Sequence, residues 1–273
     1  GTTIIGNAIG LDDDILYLNE PYYVWYNVSK RTDFGNLLGH EGVCWLRPAE
    51  VTPPQRRRAR RMLSALARLR GRQFIVEKTP INSLRMNWLR AMEPSARFVV
   101  IHRDWDKIVN SIVDLTTNKR YRLARRPNYH LWWGENHYKV HALLDRDPLG
   151  IVTADFASFV RAQLSVGDAA AVDVNMAVFE ALASRVAIER ARASLELGAD
   201  AIYDIAYDSY VFPPEQTIGA VLRWIKHGER AKLSEGVLSN VRQTSRENAL
   251  TKNEIRAAIH PDLLEKVDAL LKN

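Results

Sequence analysis

A chain of 273 residues can bury a full core as one large α/β domain or as two small ones. With 47% hydrophobic and 26% charged residues, and no apolar run near the ~20 residues that span a bilayer, its composition is that of an ordinary soluble protein and excludes a helical membrane span. The net charge of +6 suits an anionic ligand and equally suits nonspecific contact with nucleic acid, while a single cysteine, Cys44, excludes an internal disulfide and fits a reducing cytosol. A cytoplasmic setting is therefore expected, and the alanine- and arginine-rich composition points to a bacterial source.

The predicted elements, in chain order, begin with a helix from Thr3 to Gly10, stopped by that glycine and the acidic turn Asp12-Asp13-Asp14. Ile15-Leu16-Tyr17-Leu18 reads as a short strand that delivers Glu20 at its end, and the aromatic stretch Tyr22 to Val28 is expected to line a pocket. Residues 29–52, with three glycines and Pro48, read as an irregular connection. Pro53-Pro54 then opens a helix through Leu69, closed by Gly71. An apolar run ends in Glu77-Lys78-Thr79-Pro80, and a second, Phe98-Val99-Val100-Ile101, ends in His102-Arg103-Asp104; both read as buried strands followed by helices. Residues 116–150 form a basic, aromatic insertion. A long helix is expected from Ala169 to Leu197, stopped by Gly198, then a strand from Ala201 to Tyr207, a helix from Glu215 to Lys226 and a mainly helical tail from Leu233. The fold class that follows is α/β, a single P-loop-like domain with a mostly parallel sheet of about five strands flanked by helices. The chain opens inside a phosphate-type loop, so a central strand and a basic residue are expected upstream of Gly1.

Several residues carry chemistry. Gly1, Thr2 and Thr3 present successive backbone N–H groups and hydroxyls at a helix N-terminus, where the dipole also favours an anion, although such a tripeptide is by itself an ordinary helix start. Arg103, at a strand end, can fork onto a phosphate. Ser111, eight residues on, lies about two turns into the next helix on roughly the same face and can add a hydroxyl. The bland alternative is a structural arginine pairing with Asp104 or Asp106 and a surface serine. The arginine run Arg56, Arg57, Arg58, Arg60 and Arg61 lies on a helix whose other face is apolar, and reads as a solvated face.

Together these motifs resemble the sulfotransferases that use 3′-phosphoadenosine 5′-phosphosulfate. Gly1-Thr2-Thr3 is similar to the core of that family's 5′-phosphosulfate loop, and Arg103 with Ser111 to its 3′-phosphate site. Asn19-Glu20-Pro21-Tyr22-Tyr23 and Glu77-Lys78-Thr79-Pro80 look like segments of the branch that acts on carbohydrates. The resemblance covers about the first 115 residues, more faintly 200–226. Asp104-Trp105 departs from the family's acidic-proline turn.

The resemblance implies direct in-line transfer of a sulfuryl group to an acceptor hydroxyl, with Lys78 as the cation at the transferring group and Glu20 as general base. Tyr22, Tyr23 and Trp25 would partly desolvate that carboxylate. His102, His130 and His137 are rival bases, of which His102 is expected to belong to a buried strand. Tyr203 is expected near the donor's adenine or, by strand alternation, in the core. Arg242 and Arg246 are expected to close over the 3′-phosphate or adenosine. Trp132, Trp133, Arg125 and Arg126, within the insertion, are expected to line the acceptor site. The expected cofactor is the phosphosulfate donor, with no metal, since no histidine or cysteine cluster has ligand spacing. The expected partner is a small-molecule or carbohydrate hydroxyl acceptor, without nucleic acid or a membrane span. Two other classes stay open: a nucleotide-dependent kinase with a degenerate phosphate loop, which would bind ATP with magnesium, and a basic nucleic-acid-binding module, which would show a steep salt dependence.

Overall fold

The computed structural model describes residues 2–117, 138–166, 169–194, 199–207, 214–228 and 249–270. In chain order the first half holds α1 (Thr2–Ile9), β1 (Ile15–Asn19), α2 (Tyr22–Val28), α3 (Pro53–Leu69), β2 (Phe74–Lys78), α4 (Met86–Met92), β3 (Phe98–His102) and α5 (Trp105–Thr117). Then follow α6 (Tyr138–Leu144), α7 (Ala154–Val166), α8 (Ala169–Ser194), β4 (Ile202–Ala206), α9 (Pro214–Ile225), α10 (Lys252–Ala258) and α11 (Pro261–Leu270). The chain divides into two compact units, one of residues 1–30, 47–103 and 192–245, the other of residues 31–46, 104–191 and 246–273.

All strands of the described residues lie in the first unit, and all pairings are parallel. β1 pairs with β2 from Ile15↔Phe74 to Asn19↔Lys78, and β3 with β4 from Phe98↔Ile202 to His102↔Ala206. The expectation of one sheet of about five strands is thus corrected: among the described residues there are two sheets of two strands, with no ladder between β2 and β3. What joins the pairs is side-chain packing. Ile5, Ala8 and Ile9 of α1, Ile15 of β1, Ile205 of β4 and Ile218, Val221 and Leu222 of α9 form one buried cluster, with Phe74, Val76, Val99, Ile101 and Tyr203 packed against it.

α1 lies antiparallel to β1 through a tight turn, and two glycines set how closely. Tyr17 crosses the helix so near that a Cβ on Gly6 would come within 2.3 Å of the ring and one on Gly10 within 2.7 Å of the Tyr17 Cβ. Gly6→Ala should therefore lower stability by about 1–3 kcal/mol despite the better helix propensity of alanine, read as a lower urea midpoint at unchanged slope. The turn after α1 is locked by charge. Lys226, just past α9 and buried, donates to Asp14 at 2.5 Å and to the buried Asp12 at 3.3 Å. Its hydrogen bond to Asp14 does most to hold the ammonium above its ordinary pKa.

α3 starts and stops where the sequence indicates. Thr52 caps it and forms a reciprocal capping box with Gln55, Pro53 opens the first turn, and Gly71 takes the left-handed conformation after the last. The second unit is helical in its described part. There the buried Asn175 of α8 accepts from the His260 backbone N–H and donates to the Ala258 carbonyl, joining α8 to the turn between α10 and α11. Lys139 of α6 and Glu180 of α8 form a nearly buried ion pair at 2.8 Å.

Candidate active site

Strand alternation decides which side chains meet at the C-terminal edge of β1 and β2. Paired residues share a face, so Ile15, Tyr17 and Asn19 lie on the same side as Phe74, Val76 and Lys78. Ile15, Phe74 and Val76 pack into the α1 cluster, which places Lys78 on the α1 side. Because α1 runs back along β1, its first turn, with Thr2 and Thr3, returns to this same edge, where helix-start N–H groups have no intrahelical acceptor. Gly1 lies outside the described residues.

Glu20 follows β1 in a left-handed conformation, φ +51°, directly before Pro21. A non-glycine residue held there stores about 1 kcal/mol or more of backbone strain, and persists only where its surroundings over-determine it. They do so here. The Glu20 N–H donates to the Lys78 carbonyl at 2.7 Å, and its own carbonyl accepts from the Tyr22 N–H at 2.7 Å. The carboxylate accepts from Lys78 Nζ at 2.5 Å through Oε1 and from the Tyr22 hydroxyl at 2.9 Å through Oε2. The pair is half sheltered, with the Lys78 side chain 11% and the Glu20 side chain 32% exposed. Burial, with Glu20 and Glu77 adding to it, pushes the neighbouring Tyr17 hydroxyl up to about 12, so it stays protonated.

The aromatic surroundings expected of Glu20 are corrected in two respects. Tyr23 is 54% exposed and shelters nothing. Trp25 is buried but serves Glu77, on the opposite face of β2, donating to its Oε1 at 3.1 Å. Glu77 also accepts from the Thr79 hydroxyl and from Asn82 Nδ2, the latter at 2.9 Å. Burial raises its pKa against the pull of these donors. Glu77 thus ties α2 and the turn after β2 to the strand that carries Lys78. The signal for it was present in the sequence: of two consecutive strand residues with charge, one must point away from the site.

At the end of β3, Arg103 lies with its guanidinium carbon 4.6 Å from the centroid of the Tyr207 ring. Tyr207 packs on the α1 cluster, so Arg103 stands on the side that Lys78 faces. Among the described residues nothing accepts from the buried Arg103 Nε. Tyr203 packs against Trp224, ring centroids 5.4 Å apart, and against the same core, as the core alternative required. Tyr207, on the same face of the chain four residues on, is the aromatic that sequence reasoning passed over. Ser111 is half-buried on α5, in the second unit. Arg242, Arg246, Arg125, Arg126, His130, Trp132, Trp133 and His137 lie outside the described residues.

His102 is not a core residue: it projects from the other face of β3, where its Nε2 lies 2.6 Å from Asp204 Oδ1. Arg192 forks onto the same carboxylate at 2.9 and 2.5 Å, and this hydrogen bonding holds Asp204 down at about 2. A depressed carboxylate contributes stability above its ordinary pKa of 3.8 that is lost as pH falls toward about 2. Asp204 is 43% exposed, so the contribution is small. Asp204→Asn should cost under about 1 kcal/mol at pH 7 and flatten the acid limb of a stability–pH curve between those values.

Among the described residues no three His, Cys, Asp or Glu side chains gather as a metal ion would need, and no helix is long and apolar enough to cross a membrane. Residues 45–145 match the family model described as the sulfotransferase family. That stretch includes Glu77, Lys78, Arg103 and Ser111, and leaves Thr2, Thr3, Glu20 and Tyr203 outside it. No curated protein and no solved structure matches the chain.

Proposed function

With residues 45–145 placed in the sulfotransferase family, we propose that the chain transfers a sulfuryl group from 3′-phosphoadenosine 5′-phosphosulfate to an acceptor hydroxyl. The observation that carries this reading is the Lys78–Glu20 pair, a cation and a carboxylate in contact on the strand edge to which the start of α1 returns. The donor supplies a sulfuryl group attached to a good phosphate leaving group. The first turn of α1 offers N–H groups and the hydroxyls of Thr2 and Thr3 to the 5′-phosphosulfate. Lys78 neutralises charge on the equatorial oxygens of the transferring group, which is where in-line transfer concentrates it. Glu20 takes the proton of the acceptor hydroxyl as its oxygen bonds to sulfur.

Arg103 fits the donor's 3′-phosphate. Its guanidinium rests on Tyr207 and has an unclaimed buried N–H, the donor a phosphate oxygen would satisfy. The eight-residue spacing from Arg103 to Ser111 assigns the serine to the same phosphate on the strength of sequence. The acceptor belongs to the class of small-molecule or carbohydrate alcohols. The test is calorimetric titration with 3′-phosphoadenosine 5′-phosphate and, separately, with ATP and magnesium. Binding of the bisphosphate at least about tenfold tighter than ATP is expected, because only it carries a 3′-phosphate for Arg103. Tighter binding of ATP with magnesium would instead make the chain a kinase.

A further inference from the structure

Lys78 cannot hold Glu20 and neutralise a sulfuryl group with the same ammonium at the same time. From this conflict we propose that Lys78 and Glu20 form a latch: the candidate base stays sequestered until the sulfated donor draws Lys78 away. The inference rests on the sulfotransferase reading and adds an order of events to it. At 2.5 Å, with the lysine side chain only 11% exposed, the contact is a charge-assisted hydrogen bond in a sheltered setting, stronger than the usual surface pair. Among the described residues Glu20 is the only side chain that Lys78 Nζ contacts.

The geometry lets the latch open without moving the site. Glu20 is held at its backbone by the Lys78 carbonyl and at Oε2 by the Tyr22 hydroxyl, and neither bond involves Nζ. When the flexible lysine stem swings toward the sulfuryl oxygens, the carboxylate keeps its position and only Oε1 loses its partner. Oε1 is then the atom open to an acceptor hydroxyl. An acceptor arriving first meets a carboxylate already claimed by an ammonium, which also makes it a poorer base. Productive binding is therefore ordered, donor before acceptor, and the base is exposed only when there is a sulfuryl group to transfer.

The latch predicts that removing a catalytic carboxylate tightens donor binding, because Lys78 no longer has to leave a partner. Binding of both 3′-phosphoadenosine 5′-phosphosulfate and 3′-phosphoadenosine 5′-phosphate would be measured by calorimetry, without acceptor, on four proteins: wild type, Glu20→Gln, Lys78→Ala and the double variant. Glu20→Gln is expected to bind the sulfated donor about 5–10-fold tighter than wild type, the scale of one partly sheltered ion pair, while affinity for the bisphosphate changes less than about twofold. In the Lys78→Ala background Glu20→Gln should alter neither affinity by more than about twofold. An equal gain for the sulfated donor in that background would mean that Glu20 merely repels an anion, and the latch is then wrong. It is equally wrong if Glu20→Gln does not tighten binding in the presence of Lys78. If the wild-type protein binds neither nucleotide, the sulfotransferase reading itself falls and the latch falls with it.

Discussion

Glu20→Gln is expected to lower turnover by about 10²–10⁴-fold while donor affinity is retained, the range associated with loss of a positioned general base. Glutamine keeps the shape of the side chain and can still accept from Tyr22 and Lys78, so the left-handed turn before Pro21 should survive. What disappears is the capacity to take a proton from the acceptor hydroxyl. The loss should thus appear in kcat and kcat/KM together, the signature of an interaction made only in the transition state. Lys78→Ala should behave differently, lowering turnover and also weakening the sulfated donor, since the ammonium acts on the transferring group in both states. Steady-state kinetics with a radiolabelled donor would separate the two. Near-normal turnover in Glu20→Gln, combined with its abolition in His137→Ala, would move the base to the histidine.

The four strands were legible because each is a short run of β-branched and aromatic residues ending in polar groups, as in Phe74–Lys78 and Phe98–His102. α3 was equally legible, since Thr52, Pro53 and Gly71 mark both ends. How the strands group into sheets was not, because that depends on which backbones come within hydrogen-bonding reach, and no local pattern encodes it. α2 shows a different failure. Tyr22–Val28 is rich in residues that favour strands, yet it is helical, burying Val24, Trp25 and Val28 at helical spacing. Tertiary packing overrides a weak local propensity there. α8 was found by length, since the buried run from Met176 to Phe179 leaves no polar face to give it a period.

At the site, Glu20 and Lys78 were each named from the sequence, but their contact spans 58 positions and only the strand register creates it. The same register explains why Trp25 was misassigned. It stands near Glu20 in sequence, whereas α2 turns it under the sheet to the opposite face, where Glu77 accepts its N–H.

Arg103→Ala should weaken binding of 3′-phosphoadenosine 5′-phosphate by about 2–4 kcal/mol, or roughly 30- to 1000-fold, the loss of a charge-assisted and forked contact. The size follows from how the guanidinium is held. Its face rests on Tyr207, so little side-chain freedom remains to be lost on binding, and its buried Nε has no competing protein acceptor among the described residues. Ser111→Ala should cost only about 1 kcal/mol, because a neutral hydroxyl is lost. Arg103→Lys discriminates among the possible causes. Lysine keeps the charge but neither the fork nor the flat stacking surface, so a loss close to that of alanine would assign the affinity to geometry, and a near-normal affinity would assign it to charge alone. Titration of the three variants at two salt concentrations makes the distinction sharper, since a bare charge contact is screened while a sheltered fork is screened less. Unchanged affinity in Arg103→Ala would remove the 3′-phosphate from the end of β3, and with it the strongest link between this edge of the fold and the phosphosulfate donor.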